Sequence, residues 1–536
     1  MPAAPERSGV HRRMAPFPQI VLVNPRFDVS YWGLEHALPI VRKRAAMPVA
    51  GPPLIAALTP PRYDVTIVDE NVEPLDFDRL ARADIVGLTG MNVQRVRMRQ
   101  ILIELKRRGV FTVVGGPWVT VREEYFGELA DVVFVGETDA TWPQFLQDRE
   151  DGRHANRYEQ TTFTDMSAVP APRFDLLRMR QYLSGSIQLS RGCPFQCEFC
   201  DVVVTYGHRA RAKTGRQMIA ELDELHRQRT EIVFIADDNL AGNRQAIKPL
   251  LMDMAAWQEA HGYPILFSAS ASLDLAEDAE LMQLMVDANV VSVFIGIESP
   301  NEESLRETKK LQNMRPAMSL VDRVRTVERA GFEVWSGMIL GFDHDDAGIF
   351  EAQKAFLGEA RIASAMVSML AAIPKTPLYA RLAAEGRLDE SEAPASGTNV
   401  IPRGMTPEDL ATGYRLLMWD LYEPEAYFRR VNEFVLESGY EVAPARRRYW
   451  RAHPWQGLKG RALDAARAAF LFVQLMRIVP DAGLRARYRR ELRGLLRRRP
   501  SAGLAFAYLL KCAMHYHHYT MAREMLEGRT AVMSPC

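Results

Sequence analysis

Ser190-Arg191-Gly192-Cys193-Pro194-Phe195-Gln196-Cys197-Glu198-Phe199-Cys200 places three cysteines at offsets 0, +4 and +7, directly after a strand-like run, Ser186-Ile187-Gln188-Leu189. A loop of this length can curl round a cubane and give one thiolate to each of three irons, which leaves a fourth iron without a protein ligand. A zinc site needs four ligands, and His208 is the only nearby candidate for the fourth. Three cysteines in one loop pair badly as disulfides, and the other two, Cys512 and Cys536, are far away. This usage suits metal chemistry in a reducing, cytoplasmic compartment.

Outward from that loop the chain runs to 536 residues, too many for one core, so about two to four domains are expected. Apolar residues make up 47% and charged residues 25%, a globular composition. The 67 basic and 67 acidic residues cancel, so whole-chain charge favours no polyanionic partner, and no nucleic-acid recognition motif is present. No run of about eighteen apolar residues occurs, so no membrane-spanning helix is expected. Residues 1–16 carry no apolar h-region and read as a disordered leader, not a signal peptide.

Before the loop, Val/Ile-rich runs at 19–25, 64–69, 84–90, 112–117 and 131–137 alternate with helical patterns such as 96–108, where Met98, Ile101, Leu102 and Leu105 share a face. Continuous apolar strands alternating with helices predict a parallel, doubly wound α/β sheet over 17–145. These strands end in Pro25, in Thr89-Gly90-Met91, in Gly115-Gly116-Pro117 and in Gly136-Glu137. The ligand crevice of such a sheet lies at those carboxyl ends, and glycines let backbone approach a large ligand closely. No G-x-G-x-x-G occurs, so a dinucleotide is a poor guess.

Residues 146–183 read as a polar, proline-containing linker. From 184 to 390, strands at 186–190, 231–236, 265–270, 290–297, 333–340 and 364–371 alternate with helices, predicting a partial (β/α)6 TIM-like barrel with its chemistry at the carboxyl mouth. Polar residues collect there: Asp237-Asp238-Asn239, Ser268 and Ser270, Glu298, and the run Gly337 to Gly341. Residues 391–536 read as a helical region. Its last part, 441–536, holds 19 Lys+Arg and 6 Asp+Glu. A solvated basic face on a helical subdomain is the ordinary reading; peripheral docking on an anionic membrane is the sharper one.

C-x3-C-x2-C with Phe199 before the last cysteine resembles the radical S-adenosylmethionine (SAM) enzymes. Preceded by the Pro25 turn, Gly51-Pro52-Pro53-Leu54 and Gly115-Gly116-Pro117, it resembles their cobalamin-dependent class. The tail, with the run Phe234-Ile235-Ala236-Asp237-Asp238-Asn239, is similar to the branch containing hopanoid methylases. The resemblance implies a [4Fe–4S] cluster on Cys193, Cys197 and Cys200, SAM chelating its open iron, and cobalamin on a Rossmann-like first domain. It implies SAM contacts at Phe199, Asp237, Asp238, Asn239, Ser270, Glu298 and Gly341, with Arg211 and Lys213 either balancing the SAM carboxylate or lying on a solvated helix start. His344 stands where the family pattern has Glu. Cobalamin contacts are implied at Pro25, Thr89, Gly90, Met91, Gly115, Gly116, Pro117, Gly136 and Glu137. The family's D-x-H-x-x-G is absent; the loop reads Met91-Asn92-Val93-Gln94-Arg95, and His36 is the domain's one histidine. A cobalt without a histidine beneath it is therefore expected.

The implied activity is methylation of an unactivated carbon of a lipid or natural product. A 5′-deoxyadenosyl radical abstracts hydrogen and the substrate radical takes a methyl group from methylcobalamin, which a second SAM re-methylates. The alternatives are a non-methylating relative performing cyclisation or rearrangement, and a corrinoid-binding sensor. The implied partners are a small-molecule or lipid substrate and a flavodoxin- or ferredoxin-type electron donor. The expected location is cytoplasmic, with peripheral contact at the membrane inner face through 441–536.

Overall fold

Two all-parallel six-stranded sheets carry the molecule. The computed structural model describes residues 18–314, 317–392, 394 and 396–529; the leader expected at 1–16, and Cys536, lie outside them. The first sheet comprises β1 (Gln19–Asn24), β2 (Asp64–Asp69), β3 (Ile85–Thr89), β4 (Thr112–Gly115), β5 (Val132–Val135) and β6 (Arg157–Glu159), in the order β2-β1-β3-β4-β5-β6. Its strands are apolar on both faces because both are covered. Ile20, Leu22 and Val113 enter one core, and Val21, Val23 and Val114 the other.

One correction concerns the stretch read as a linker, 146–183. It supplies β6, which pairs parallel with β5. Only Tyr158 of this strand is buried, between exposed Arg157 and Glu159. Three residues with one apolar position give too short a pattern for periodicity to detect.

The second sheet comprises β7 (Gly185–Ile187), then, beyond the ribbon β8 (Ser190–Arg191) and β9 (Arg211–Ala212), β10 (Ile232–Ile235), β11 (Leu266–Ala271), β12 (Val290–Glu298), β13 (Glu333–Leu340) and β14 (Ser364–Met369). Strand neighbours follow chain order from β7 and β10 through to β14. The result is an open, partial barrel. The antiparallel β8–β9 ribbon brackets the cysteine loop.

The segment after β1 leaves its own domain. Tyr31, Ala37, Ile40 and Ala45 join the core of the barrel, and Ala45 bridges to Tyr182. The tail is helical: Pro407–Tyr422, Pro424–Asn432, Pro444–Ala452, Pro454–Ile478, Ala482–Arg498 and Ala502–Leu526. The first of these shows why they start where they do: Thr406 accepts from the Asp409 backbone N–H, and Pro407 occupies the first turn, where a missing N–H costs nothing. The last helix is buried along most of its length. His517 Nε2 meets the Ser30 carbonyl at 2.9 Å, and the His36 backbone N–H donates to His517 Nδ1 at 3.3 Å. Barrel, tail and the segment after β1 therefore share one core.

Candidate active site

The end of β10 shapes the cysteine loop. Asp237, only 3% exposed, accepts from the Leu189 N–H at 2.7 Å and from Ser190 Oγ at 2.6 Å. Asp238 accepts from the Gly192 N–H at 2.7 Å. Asn239 donates to Ser272 Oγ at 3.0 Å and accepts from the Ser272 N–H at 3.1 Å. Burial pushes Asp237 up to about 6 and Asp238 up to about 7, against the hydrogen bonds that stabilise their charged forms. Asp237 and Asn239 thus act on the protein backbone, where the sequence suggested contact with SAM; of the three, only Asp238 is half-buried.

Gly192 must be glycine. Its φ is +95°, and a Cβ there would lie 2.5 Å from the Arg209 carbonyl oxygen. Farther along, the Glu198 N–H donates to the Thr308 carbonyl at 2.9 Å, and the Glu198 carboxylate is held by Arg381 at 3.1 Å. Arg381 also pairs with Asp343 at 2.6 Å. Phe199 packs on Phe342 with ring centroids 6.3 Å apart. The loop is anchored before, within and after its cysteines.

Cys193, Cys197 and Cys200 are half-buried, whereas Cys512 is fully buried in the last helix. Burial pushes the Cys193 and Cys200 thiols up. The nearby cation is Lys310, whose Nζ lies 2.8 Å from Glu298 Oε1. Burial alone would pull Lys310 down, but Glu298, with Cys197 and Cys200 in their thiolate forms, outweighs it and raises it. Gln312 Nε2 is 3.5 Å from Cys197 Sγ. Among the described residues no group of three His, Cys, Asp or Glu side chains is arranged to hold a single metal ion. Three soft sulfur donors on one loop, with a buried cation beside them, fit an iron–sulfur cluster.

Glu298 ends β12 with φ +69°, an uncommon conformation for a residue with a side chain; such strain costs about 1–3 kcal/mol and gathers at functional sites. A Cβ on Gly296 would lie 2.3 Å from Glu298 Oε1 and 3.0 Å from Lys310 Nζ, so the Glu298–Lys310 pair lies directly across that glycine. Ser270 is half-buried on β11. Gly341, at φ +95°, donates its N–H to Asp345 at 2.9 Å and makes room for Leu410. His344 pairs with Glu307 and is about half-exposed; buried Asp345 instead orders this turn, also accepting from the Phe342 N–H and Ser304 Oγ.

The two basic residues suggested for the SAM carboxylate are placed elsewhere. Arg211 pairs with Glu137 at 3.1 Å and Lys213 with Glu221 at 2.5 Å. Glu137, expected at the cobalamin rim, is buried: its carboxylate takes Arg191 at 2.8 Å and Arg211. Asp139 holds Arg191 as well, at 2.8 Å. This clamp ties the end of β5 to the residue two places before Cys193.

The other expected rim residues lie at the carboxyl edge of the first sheet. Gly116 and Gly136 have φ +103° and +83°, and a Cβ on either would strike a neighbouring turn, at Thr89 Oγ1 or the Gln160 carbonyl. Pro117 opens a short helix directly after Gly116. Buried Gln94 binds two turns together, accepting from the Met91 N–H at 3.0 Å and donating to Asn24 Oδ1 at 3.0 Å and to the Pro25 carbonyl at 2.5 Å. Met91 is 43% exposed, and Thr89 and Gly115 are half-buried. A rigid, accessible backbone edge of this kind fits a large planar ligand such as a corrin. His36 packs against the last tail helix, 3.9 Å from Glu524.

Residues 47–146 match the family model of the B12 binding domain, and residues 187–354 that of the radical SAM superfamily. Hopanoid C-2 methylase of Rhodopseudomonas palustris (strain TIE-1) is 32% identical over 518 residues, 95% of this chain and 94% of that protein. The chain belongs to the cobalamin-dependent radical SAM enzymes. An uncharacterized methyltransferase of Synechocystis, sll1242, is 35% identical over 94% of this chain and 92% of that protein. Residues 376–531 match a domain of unknown function, DUF4070. Among solved structures, radical SAM methyltransferase TsrM from Kitasatospora setae, with cobalamin and a [4Fe–4S] cluster bound, has a TM-score of 0.55 at 16% identity, covering 69% of this chain and 75% of that one. OxsB, with aqua-cobalamin and SAM bound, has 0.56 at 14% identity, covering 96% and 80%. At those identities the likeness is one of fold. The cofactors of this radical SAM class are the [4Fe–4S] cluster, SAM and cobalamin.

Lys310 and the Glu137–Arg191–Arg211 clamp were not legible as site features. Lys310 follows Lys309 in a stretch that reads as surface charge, and the clamp joins residues more than fifty positions apart.

Proposed function

We propose that this radical SAM enzyme methylates an unactivated carbon of a lipid or other apolar natural product. The observation that carries the reading is the joining of two centres: the thiol loop beside Lys310 and Glu298 is bound through Arg191 and Glu137 to the carboxyl edge of the B12-binding domain. The naming of a relative of nearly equal length as a hopanoid C-2 methylase supports methylation and an apolar substrate.

When bound, the cluster and SAM supply a carbon-centred radical and cobalamin supplies a transferable methyl group; the protein orients them and excludes side reactions. Cys193, Cys197 and Cys200 hold the cluster. Lys310 offsets thiolate charge, and Glu298 fixes Lys310 while offering an acceptor to SAM, as does Asp238. Ser270 and Phe199 complete the SAM surface. Thr89, Met91, Gly115, Gly116, Pro117 and Gly136 would hold the corrin, with buried Pro25, Gly90 and Glu137 acting behind them as positioning residues. The loop Met91 to Gln94 offers no imidazole to cobalt. An external flavodoxin- or ferredoxin-type donor supplies the electron.

Incubation of the reconstituted enzyme with labelled SAM and host lipid extract, read by mass spectrometry, tests the reading. A labelled methyl group in an extract lipid is expected. 5′-Deoxyadenosine without methyl transfer would transfer the assignment to a cyclase or rearranging relative, and no 5′-deoxyadenosine at all to a corrinoid sensor.

A further inference from the structure

A cavity of about 730 Å³ opens at the end of the barrel away from the cysteine loop. The strand residues lining it include Ile232, Leu266 and Glu333, the first of β10, β11 and β13, so it lies toward the amino ends. Its size falls in the ordinary range of ligand sites, about 300–1,000 Å³. Trp32, Phe294, Trp335, Phe506, Leu510 and Met514 give it an aromatic and aliphatic lining. The helix Pro454–Ile478 contributes Lys459, Gly460 and Leu463 to its outer side. Residues of three regions therefore build it: the segment after β1, the barrel and the tail.

The cavity is in line with the reaction mouth. Phe294 and Trp335 are register partners, and two residues farther along the strands Gly296 is paired with Gly337. A Cβ on Gly337 would lie 2.9 Å from Phe294 Cζ, so the Phe294 ring reaches into the glycine layer. Trp32 meets that ring edge-on at 4.9 Å. Across Gly296 lie Glu298 and Lys310, and beyond them the thiols. The order along the barrel is cavity, Trp32–Phe294 pair, glycine layer, Glu298–Lys310, cysteine loop.

We propose that this cavity seats the apolar body of the substrate, which enters from the tail side and is stopped by Phe294 with its reacting carbon toward the glycine layer. The proposal rests on the methyltransferase reading above and deepens it by naming the substrate class: a bulky, largely hydrocarbon molecule with few polar groups. The lining supports that class. Several of its polar groups are matched internally, Ser268 with Ser292 at 2.7 Å, Lys511 with Glu333 and Arg467 with Glu231. Trp335 Nε1–H and Arg446 Nε–H are buried without a partner, two donors for a hydroxyl or carbonyl on the ligand. The DUF4070 region is then a wall of the substrate site.

The test uses the full-length protein and cis-parinaric acid, a fluorescent polyene, with tryptophan-to-probe energy transfer from Trp32, Trp335 and Trp450 as readout. Saturable binding of one probe per chain is expected, weakened at least tenfold by Ala507→Phe and by Leu510→Trp. Melting temperature and iron content serve as controls. Unweakened binding in both variants overturns the proposal, as does the absence of saturable binding. If both variants lose the wild-type melting temperature, an alkyl diazirine on the wild-type protein decides: labelled peptides from β12, β13 and the last helix support the site, and labelling elsewhere overturns it. The two readings fail separately. Blocked variants that still methylate extract lipids at the wild-type rate sink the cavity and leave the methyltransferase standing. Probe binding lost on blocking, with no methyl transfer by wild type, does the reverse.

Discussion

Replacing Glu137 by Ala removes the carboxylate that Arg191 and Arg211 share between the first sheet and the β8–β9 ribbon. Arg191 is 5% exposed, and it sits two residues before Cys193. Breaking a buried ion pair from one side costs about 3–5 kcal/mol, because the remaining charge stays buried. Two features lower that figure here. Asp139 still holds Arg191 at 2.8 Å, and Arg211 keeps hydrogen bonds to the Thr164 and Tyr206 carbonyls at 2.5 and 3.0 Å. A loss of about 2–3 kcal/mol is the resulting expectation. A chain with several domains does not unfold in two states, so a global midpoint is the wrong assay. Amide hydrogen exchange reads local opening directly. About 2–3 kcal/mol corresponds to exchange roughly thirty- to one-hundred-and-fifty-fold faster at 190–200 and at the end of β5. Glu137→Gln keeps the shape and loses the charge, and should give most of the same effect. Arg191→Leu combined with Glu137→Ala should cost clearly less than the two changes summed, since both break one contact. Unchanged exchange at 190–200 in Glu137→Ala, or strict additivity in the pair, would refute the clamp.

Three further outcomes are expected. Alanine at Cys193, Cys197 or Cys200 abolishes the cluster by iron and sulfide analysis, whereas Cys512→Ala, in the buried last helix, retains it. Lys310→Met leaves Glu298 buried without its cation and should weaken SAM binding at least tenfold in equilibrium dialysis with cluster content retained. Burial pushes Glu328 up to about 8, with Glu333 adding to the rise and Arg361 opposing it. Its folded value exceeds the ordinary 4.5, so the neutral form is favoured in the native state, and its contribution to stability is full below that value and lost as pH rises toward 8. Glu328→Gln should flatten the fall in amide-exchange protection of the helix Leu320–Ala330 between pH 5 and 8.5, after correction for the intrinsic exchange rate; an unchanged slope would exclude this residue as its source.

Both sheets were legible because parallel strands covered on both faces are written as near-continuous Val and Ile runs, and those runs survive without any knowledge of neighbours. The cysteine loop was legible for a related reason: its spacing is local. What escaped is what only the fold brings together. Asp237 looks like a ligand-facing acid until Leu189 and Ser190 are seen to claim it. Glu137 looks like a rim residue until Arg191 folds onto it. β6 escaped because one buried tyrosine makes no pattern. The cavity could not be read at all, since Trp32, Trp335 and Leu510 come from three distant parts of the sequence and meet at one end of the barrel.

The tail offers one more expectation, that the enzyme docks on anionic membranes through the helix Pro454–Ile478. No described helix is long and apolar enough to cross a membrane, so contact would be at the surface. Trp455 is 84% exposed, Leu458 56%, Leu463 48% and Val473 51%, an unusual display of large apolar side chains on one helix. Lys459 and Arg461 lie exposed among them. An interfacial helix has this make-up, with apolar groups entering the headgroup boundary and basic ones meeting anionic lipid. Residues 441–536 carry 19 basic against 6 acidic side chains, and each basic residue near such a surface contributes about 1 kcal/mol. The same helix lends Lys459, Gly460 and Leu463 to the cavity, so a docked enzyme would hold that opening next to the bilayer, where an apolar substrate is concentrated. Vesicle flotation should therefore recover the protein with phosphatidylglycerol but not with phosphatidylcholine alone, and less of it as salt shortens the screening length. Trp455→Ser with Leu458→Ser should abolish recovery without altering iron content. Equal recovery on both lipids would remove the electrostatic half of the argument. A stable dimer by analytical ultracentrifugation, dissociated by the same two substitutions, would show instead that a second copy covers this face.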